Sequence, residues 1–362
     1  DLTIYLTDDC NFHCSYCYQT HSHNRLDTIQ IQRGLNFFLP RLKEESYIKF
    51  YGGEPLLAFE TIEETVHLVN KKNVQLQKTI HFGITTNGSL ITDSILQFLQ
   101  VHGFLINLSY DGLAQDHTRE NQSRSHIVSI IHDILNVPGI SLKTNSVFTP
   151  QTVGLLSRSM EDITEMGVPS CSLALDTFQP WSDKALFMLD KQLTLLGQYL
   201  LSNYKRFQNI PVTNFRKRIG KGIYICMAGQ DRMVIAPDGR IWGCFMFVDF
   251  DQSQKNPSFA HDYCFGKLKD FQANYDQMSK RIRSNYSKLR MNNFYTSTKT
   301  CGLCPNLTRC RVCPVEAAFS SFTLREIPLW RCAISKIISR HNLLFWEAIK
   351  KQYGMEAYFS GR

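Results

Sequence analysis

DDCNFHCSYCYQT, residues 8–20, places Cys10, Cys14 and Cys17 within eight positions, with Tyr16 just before the last of them. The run follows Leu2–Leu6, an apolar, β-rich stretch, so the thiols stand where a first strand gives way to a loop. Three thiolates are one short of the shell that zinc or an iron–sulfur cube takes. A zinc knuckle could be completed by His13 or His21. An iron–sulfur cube held by three thiolates would instead keep one iron free for a small molecule that ligates through nitrogen and oxygen. Zinc sites usually pair two short ligand hairpins, which favours the cube.

Beyond this loop, strand-like and helix-like segments alternate. Apolar, β-rich runs recur at 47–51, 80–86, 105–110, 140–147 and 170–175, with helical spacing at 29–38, 58–69, 93–101, 126–135 and 153–166. Such alternation predicts βαβ units and a parallel sheet with helices outside. Six units make an α/β fold, a partial (β/α)6 TIM-like barrel over residues 1–180. Parallel architectures present chemistry at the C-terminal ends of their strands. There the sequence places Gly52–Pro55, Asn87-Gly88 and Asp111-Gly112 besides the cysteines. A helical linker over 181–222, with its helix at 182–204, leads to a small cysteine-rich α+β region of short strands and turns, 223–332. In it VIAPDGRIWGC (234–244) reads as a hairpin turned by Asp238-Gly239. A closing helix is expected in 333–362, centred on 333–352.

Composition agrees with a globular chain. Hydrophobic residues make up 43% and charged residues 20% of 362, enough for a real core. No stretch approaches the roughly 20 apolar residues of a membrane helix, and no signal peptide is present, so a soluble, cytoplasmic protein is expected. Asp1 in place of a methionine leads to the expectation that some sequence precedes it. The net charge of +8 is uneven: Lys205, Arg206, Arg216, Lys217, Arg218 and Lys221 meet no acidic residue, and a second basic stretch runs from Lys280 to Arg290. These are solvated faces or a docking surface for an acidic partner. No recognised nucleic-acid module accompanies them. The twelve cysteines are crowded at short gaps, which suits metal ligation rather than disulfides.

CX3CX2C after a first strand, with an aromatic before the last cysteine, resembles the radical S-adenosylmethionine (SAM) enzymes. The resemblance continues in YGGEPLL (51–57), TTNGSLI (85–91) and INLSYDG (106–112), three stretches at successive strand ends. It implies that Cys10, Cys14 and Cys17 hold a [4Fe–4S] cluster whose open iron binds SAM. Gly52, Gly53 and Glu54 would hold the methionine part, Tyr16 would lie near the adenine, and Asn87, Ser109 and Asp111 would be further contacts. The implied chemistry is reductive cleavage of SAM to methionine and a 5′-deoxyadenosyl radical that abstracts hydrogen from a substrate, with an external one-electron reductant such as flavodoxin or ferredoxin.

Downstream, Cys226, Cys244, Cys301, Cys304, Cys310, Cys313 and Cys332 resemble the SPASM domain, which carries two auxiliary [4Fe–4S] clusters. YCFGKLKDF (263–271) is similar to a strand and glycine of that domain. The resemblance implies one cluster on Cys301, Cys304, Cys310 and Cys332, and another on Cys226, Cys244 and Cys313. The fourth place of the latter falls to Cys264, to a substrate sulfur, or stays open. Cys310-X2-Cys313 has one residue fewer than the family's usual gap. CX2CX5CX2C alone would also permit zinc. Cys171 reads as a buried small apolar residue.

Enzymes with this pairing mostly modify peptides. The expected function is a maturase that forms an intramolecular C–C or thioether crosslink in a ribosomally made, leader-containing precursor peptide. The alternatives are epimerisation, small-molecule modification and a non-catalytic iron–sulfur or zinc protein. Sulfatase maturation is disfavoured, because those maturases carry an Asp base after the cysteine matching Cys244, where this chain has Phe245. A leader-binding domain is absent, so recognition is expected to use the barrel, a separate protein or preceding residues. Asp111, His117, Asp176 and Asp249 are polar residues at plausible places and receive no catalytic role.

Overall fold

A computed structural model describes residues 1–119, 124–207, 209–217, 222–254 and 257–360. Arg218 and Lys221 of the first basic stretch lie outside the described residues. Six parallel strands, β1 (Leu2–Tyr5), β2 (Glu45–Tyr51), β3 (Thr79–Thr86), β4 (Leu105–Ser109), β5 (Ser141–Phe148) and β6 (Cys171–Leu175), stand side by side in chain order. Helices Thr28–Phe38, Phe59–Leu76, Asp93–Val101, Arg124–Leu135 and Leu156–Glu165 connect them, and Asp183–Ser202 follows β6. Their starts are written locally. Asp27 and Gln30 form a capping box, and Thr92 and Ser182 accept from backbone N–H groups of the first turns they precede.

Strand periodicity sorts the barrel into two surfaces. Leu2, Ile4, Ile48, Phe50, Ile106 and Leu108 are fully buried in the apolar core. The residues between them, including Thr3, Lys49, Asn107 and Ser109, line an interior cavity. The inside of this barrel is an open chamber with polar and aromatic residues in its wall rather than a packed core.

The sheet does not stop at β1. β7 (Met233–Ile235) pairs with β1 in parallel, β8 (Arg240–Trp242) folds back antiparallel to β7, and β9 (Cys264–Lys267) follows β8. The order β6-β5-β4-β3-β2-β1-β7-β8-β9 is one open run, with no pairing between β1 and β6. The expected hairpin is present, turned at Asp238-Gly239 with Gly239 at φ +74°. The cysteine-rich region is more helical than its sequence led us to expect: Phe245–Gln254, Pro257–Tyr263, Leu268–Ser287 and Pro314–Ser321 are helices. Ile282 and Tyr286 of the longest bury one face of it, a period masked in sequence by its many charges. The last helix, Leu329–Ser360, begins four residues earlier than expected and breaks at Gly354 (φ 85°). It lies along Asp183–Ser202, where His341 meets Asp190 at 2.6 Å.

Both basic stretches spend charge inside the chain. Arg216 donates to the carbonyls of Ile210 and Pro169, Arg206 pairs with Glu165, and Arg281 and Arg283 donate to His261 and Gln230. No helix among the described residues is long and apolar enough to cross a membrane.

Candidate active site

The cysteine loop leaves β1 and lies against the end of β2. Gly53 N–H donates to Thr7 O at 2.9 Å, and Glu54 N–H donates to Asp9 O at 2.8 Å. A Cβ on Gly52 would stand 2.6 Å from Thr7 O, and one on Gly53 2.2 Å from Asp9 O. Both glycines are therefore needed for this backbone approach before any ligand is considered.

Cys10, Cys14 and Cys17 line a cavity of about 400 Å3 at the barrel mouth. Tyr16, Gly52, Gly53, Asn87 and Ser109 share its wall. Glu54 and Asp111 do not; both are fully buried behind it. Glu54 accepts from Leu56 N (3.0 Å), Thr86 Oγ1 (2.7 Å) and Asn87 N (2.7 Å), and burial pushes its carboxyl up to about 7. Asn87 in turn donates to Asn11 in the cysteine loop at 2.9 Å. The second, third and first strand ends are thus tied together by one hydrogen-bonded net.

Asp111 is a second hub. It accepts from Tyr16 Oη (2.8 Å), Thr118 Oγ1 (2.7 Å) and Val147 N (2.8 Å), and pairs with Arg119 at 3.0 and 3.2 Å. Arg119 stacks on the Tyr16 ring and reaches Cys14 Sγ at 3.9 Å. The Asp111 carboxylate holds the guanidinium charged, well above its ordinary range despite burial. Arg119 also lines the cavity, and sequence reasoning missed it because it follows the four-residue helix Gln115–Thr118 in no motif. Asn107 and Asn145 were missed too, although an inward polar residue on an apolar strand was a usable signal.

The donor set suits sulfur-ligated iron. Burial pushes the thiols of Cys10 and Cys14 up to about 11, so coordination to a cation is what would hold them as thiolates. Among the described residues no three His, Cys, Asp or Glu side chains converge on a single-ion site. His21 Nε2 stands 3.5 Å from Cys17 Sγ, and the His13 ring lies 6.5 Å from the His21 ring between centroids.

The remaining cysteines fall into two neighbourhoods. Cys310, Cys332 and Cys304 all bear on the Cys301 thiol, which burial and these neighbours push up to about 11. Cys244 and Cys226 bear on Cys313 beside Glu316. Cys310 Sγ meets Ser335 Oγ at 3.3 Å, while Cys313 heads the helix Pro314–Ser321, so the short gap between the two cysteines still divides them. Cys264 is engaged elsewhere, accepting from Gly266 N at 3.3 Å and donating to Ile241 O at 3.5 Å. Cys171 is fully buried on β6. Phe245, next to Cys244 in the chain, stacks on Tyr51 at 4.4 Å and lines the cavity.

Among the acid–base candidates, His117 is exposed and Asp176 accepts from Phe178 N at 3.1 Å. Asp249 is fully buried and accepts from Tyr5 Oη at 2.8 Å, its other oxygen lacking a partner among the described residues. Burial pushes its carboxyl up to about 8. Gln19 donates to Tyr5 Oη at 2.9 Å and lines the cavity.

A partial parallel barrel with an open interior and three thiols lining its mouth defines a class: α/β proteins with a cysteine-lined cavity at the strand ends. Residues 4–165 match the Radical SAM superfamily. It is 25% identical over 274 residues to the radical SAM cyclopropyl synthase TigE of Paramaledivibacter caminithermalis, covering 67% of this chain and 57% of TigE. It therefore spans a little over half of that relative. A cysteine-type anaerobic sulfatase-maturating enzyme of Clostridium perfringens is 37% identical over 117 residues, 30% of this chain and 31% of that protein. The fold is shared along the whole chain with anSMEcpe solved with bound AdoMet, at TM-score 0.74 and 17% identity, covering 98% of this chain and 99% of that one. SuiB of Streptococcus suis, solved bound to precursor peptide SuiA, aligns at TM-score 0.57 and 19% identity over 90% of this chain and 74% of its own.

Proposed function

We propose that this chain is a radical SAM maturase of a ribosomally made peptide, forming an intramolecular C–C or thioether crosslink. The observation that carries the reading is the shared cavity: Cys10, Cys14 and Cys17 open onto the same space as Tyr16, Gly52, Gly53, Asn87 and Ser109. When bound, a [4Fe–4S] cluster with SAM supplies a 5′-deoxyadenosyl radical that abstracts hydrogen from substrate. The chain's part is to bind, orient and exclude side reactions. Cys10, Cys14 and Cys17 ligate the cluster. Gly52 and Gly53 leave the backbone open to the methionine part, Asn87 is fixed by Glu54, and Tyr16 is fixed by Asp111. Cys301, Cys304, Cys310 and Cys332 hold one auxiliary [4Fe–4S] cluster. Cys226, Cys244 and Cys313 hold the other, at the wall where a peptide residue would sit. SuiB, solved bound to precursor peptide SuiA, supports a peptide as substrate.

The test is anaerobic reconstitution followed by iron and sulfide analysis, then SAM with dithionite. About twelve irons per chain, for three cubes, and release of 5′-deoxyadenosine are expected. Co-expression with a short peptide encoded beside this gene should lower the peptide's mass by about two units per crosslink, the loss of two hydrogens in the proposed radical chemistry. Zinc at the cysteines, or no 5′-deoxyadenosine, sinks the radical reading. Unchanged peptide mass with solvent deuterium incorporated replaces the crosslink with epimerisation.

A further inference from the structure

Arg119 is a buried cation held against the cysteine loop by backbone and side chain together. Its backbone forms an antiparallel bridge with Cys14, and beside it Ser15 N–H donates to Thr118 O at 2.9 Å. The guanidinium lies over the Tyr16 ring, 5.5 Å from its centroid. Asp111 takes Nε and Nη2, at 3.0 and 3.2 Å, from a side chain only 5% exposed. A guanidinium is planar, so these two bonds fix its third nitrogen. Nη1 faces Cys14 Sγ at 3.9 Å, within reach of a hydrogen bond to sulfur. The other two thiols of the loop meet neutral backbone donors, Phe12 N–H at Cys10 and Gln19 N–H at Cys17. Cys14 meets a full positive charge.

We propose that Arg119 sets the reduction potential of the cluster on Cys10, Cys14 and Cys17, acting through Cys14 rather than on substrate. The proposal rests on the radical SAM reading, in which that cluster takes up one electron from an external donor before SAM is cleaved. No bond forms or breaks in the uptake and no proton moves, so the difference between the two forms is electrostatic. Net charge, exposure and hydrogen bonds to the sulfurs set the potential of an iron–sulfur cluster. The reduced form is more negative by one charge, so a cation donating to a ligating sulfur stabilises it more than the oxidised form. Burial keeps water and salt from screening the effect. Asp111 opposes it from the other edge of the guanidinium, but that carboxylate is shared with Tyr16, Thr118 and Val147 N, and Nη1 stands nearer the sulfur.

The test is potentiometry of the reconstituted holoenzyme, read by electron paramagnetic resonance. The signal that added SAM alters in the parent protein marks the cluster on the loop, and its midpoint is then measured without SAM. In the double variant Asp111→Asn with Arg119→Gln, both charges are removed together. Its reduced-to-oxidised ratio at the parent's midpoint should be about tenfold lower, a fall of about 59 mV for one electron. Asp111→Asn alone keeps the cation and discards its countercharge, and should move the same midpoint upwards. The signals that SAM leaves unaltered should keep their midpoints in both. An unmoved midpoint in the double variant overturns the proposal, as do shifts of one sign in both variants or an equal shift of every signal. If the double variant takes up no iron, Asp111→Asn decides alone: a rise supports the proposal, and no change or a fall overturns it. A parent protein whose signals all ignore SAM fails the radical SAM reading itself, and the role of Arg119 with it.

Discussion

The two cysteine regions are assembled by opposite routes. Cys10, Cys14 and Cys17 come from one loop of eight residues, anchored to the end of β2 by two backbone hydrogen bonds. The seven cysteines of the two downstream neighbourhoods come from segments spread between residues 226 and 332, and are brought together by the fold rather than by one loop. One site is written locally, the other by tertiary structure. Ligand loss should therefore be confined at the first and spread at the second.

The largest effect tests that difference directly. Replacing Cys10, Cys14 and Cys17 together by Ala should remove about four of about twelve irons and abolish 5′-deoxyadenosine formation. Far-ultraviolet circular dichroism should stay unchanged. Cys313→Ala should instead lower iron and also loosen the cysteine-rich region, seen as earlier proteolysis around 223–332. If both variants lose iron with equal retention of structure, the local-versus-tertiary contrast is wrong.

Next in size is the buried Asp111–Arg119 pair. Asp111→Ala leaves the guanidinium buried beside Cys14 without its carboxylate, and breaking such a pair costs about 3–5 kcal/mol. Urea unfolding measures the loss. Tyr16 loses its anchor as well, so SAM binding by calorimetry should weaken with it.

What the sequence made legible follows from the range of each interaction. The six strands and their helices were readable because periodicity is local, and the three-thiol loop because its spacing is short. The continuation of the sheet was not readable, since β7 is three residues long and pairs with a strand about 230 positions away. Arg119 was hidden for a related reason: only folding brings it over Tyr16, whose own motif was visible. The glycines of GGEP carried a double meaning. They mark a cofactor contact by resemblance, while the structure gives them an independent steric duty against Thr7 and Asp9.

That duty predicts a smaller, local effect. Gly53→Ala sets a methyl 2.2 Å from Asp9 O, which is backbone and has to shift. Overpacking of this kind costs about 1–3 kcal/mol. The loop bearing Cys10 moves with Asp9, so iron should fall by about a third while the other two clusters stay, given three cubes of equal size. A proportional loss from all three sites would mean that the anchor is not local.

The smallest effect is a slope rather than a loss, and it concerns the wall between the two regions. Asp249 is buried close to Cys17 and Cys244, and accepts from Tyr5 Oη at 2.8 Å. Its carboxyl stays protonated up to about 8 in the folded chain, against an ordinary value of 3.8. Between those values the folded protein binds a proton that the unfolded chain has released. Its contribution to stability is therefore fully present below the ordinary value and is lost as pH rises towards 8, at up to about 1.4 kcal/mol per pH unit. Asp249→Asn keeps the shape and an acceptor for Tyr5 Oη but cannot titrate. Asp8, His21 and Tyr51 face the same carboxyl and are unchanged by the substitution, so the difference between the two proteins reads Asp249. Urea unfolding at pH 5, 6, 7 and 8 should show the variant gaining on the parent as pH rises. Parallel stability curves would mean that the Asp249 carboxyl ionises freely, and that the wall between the two thiol regions is wetter than its buried side chains indicate.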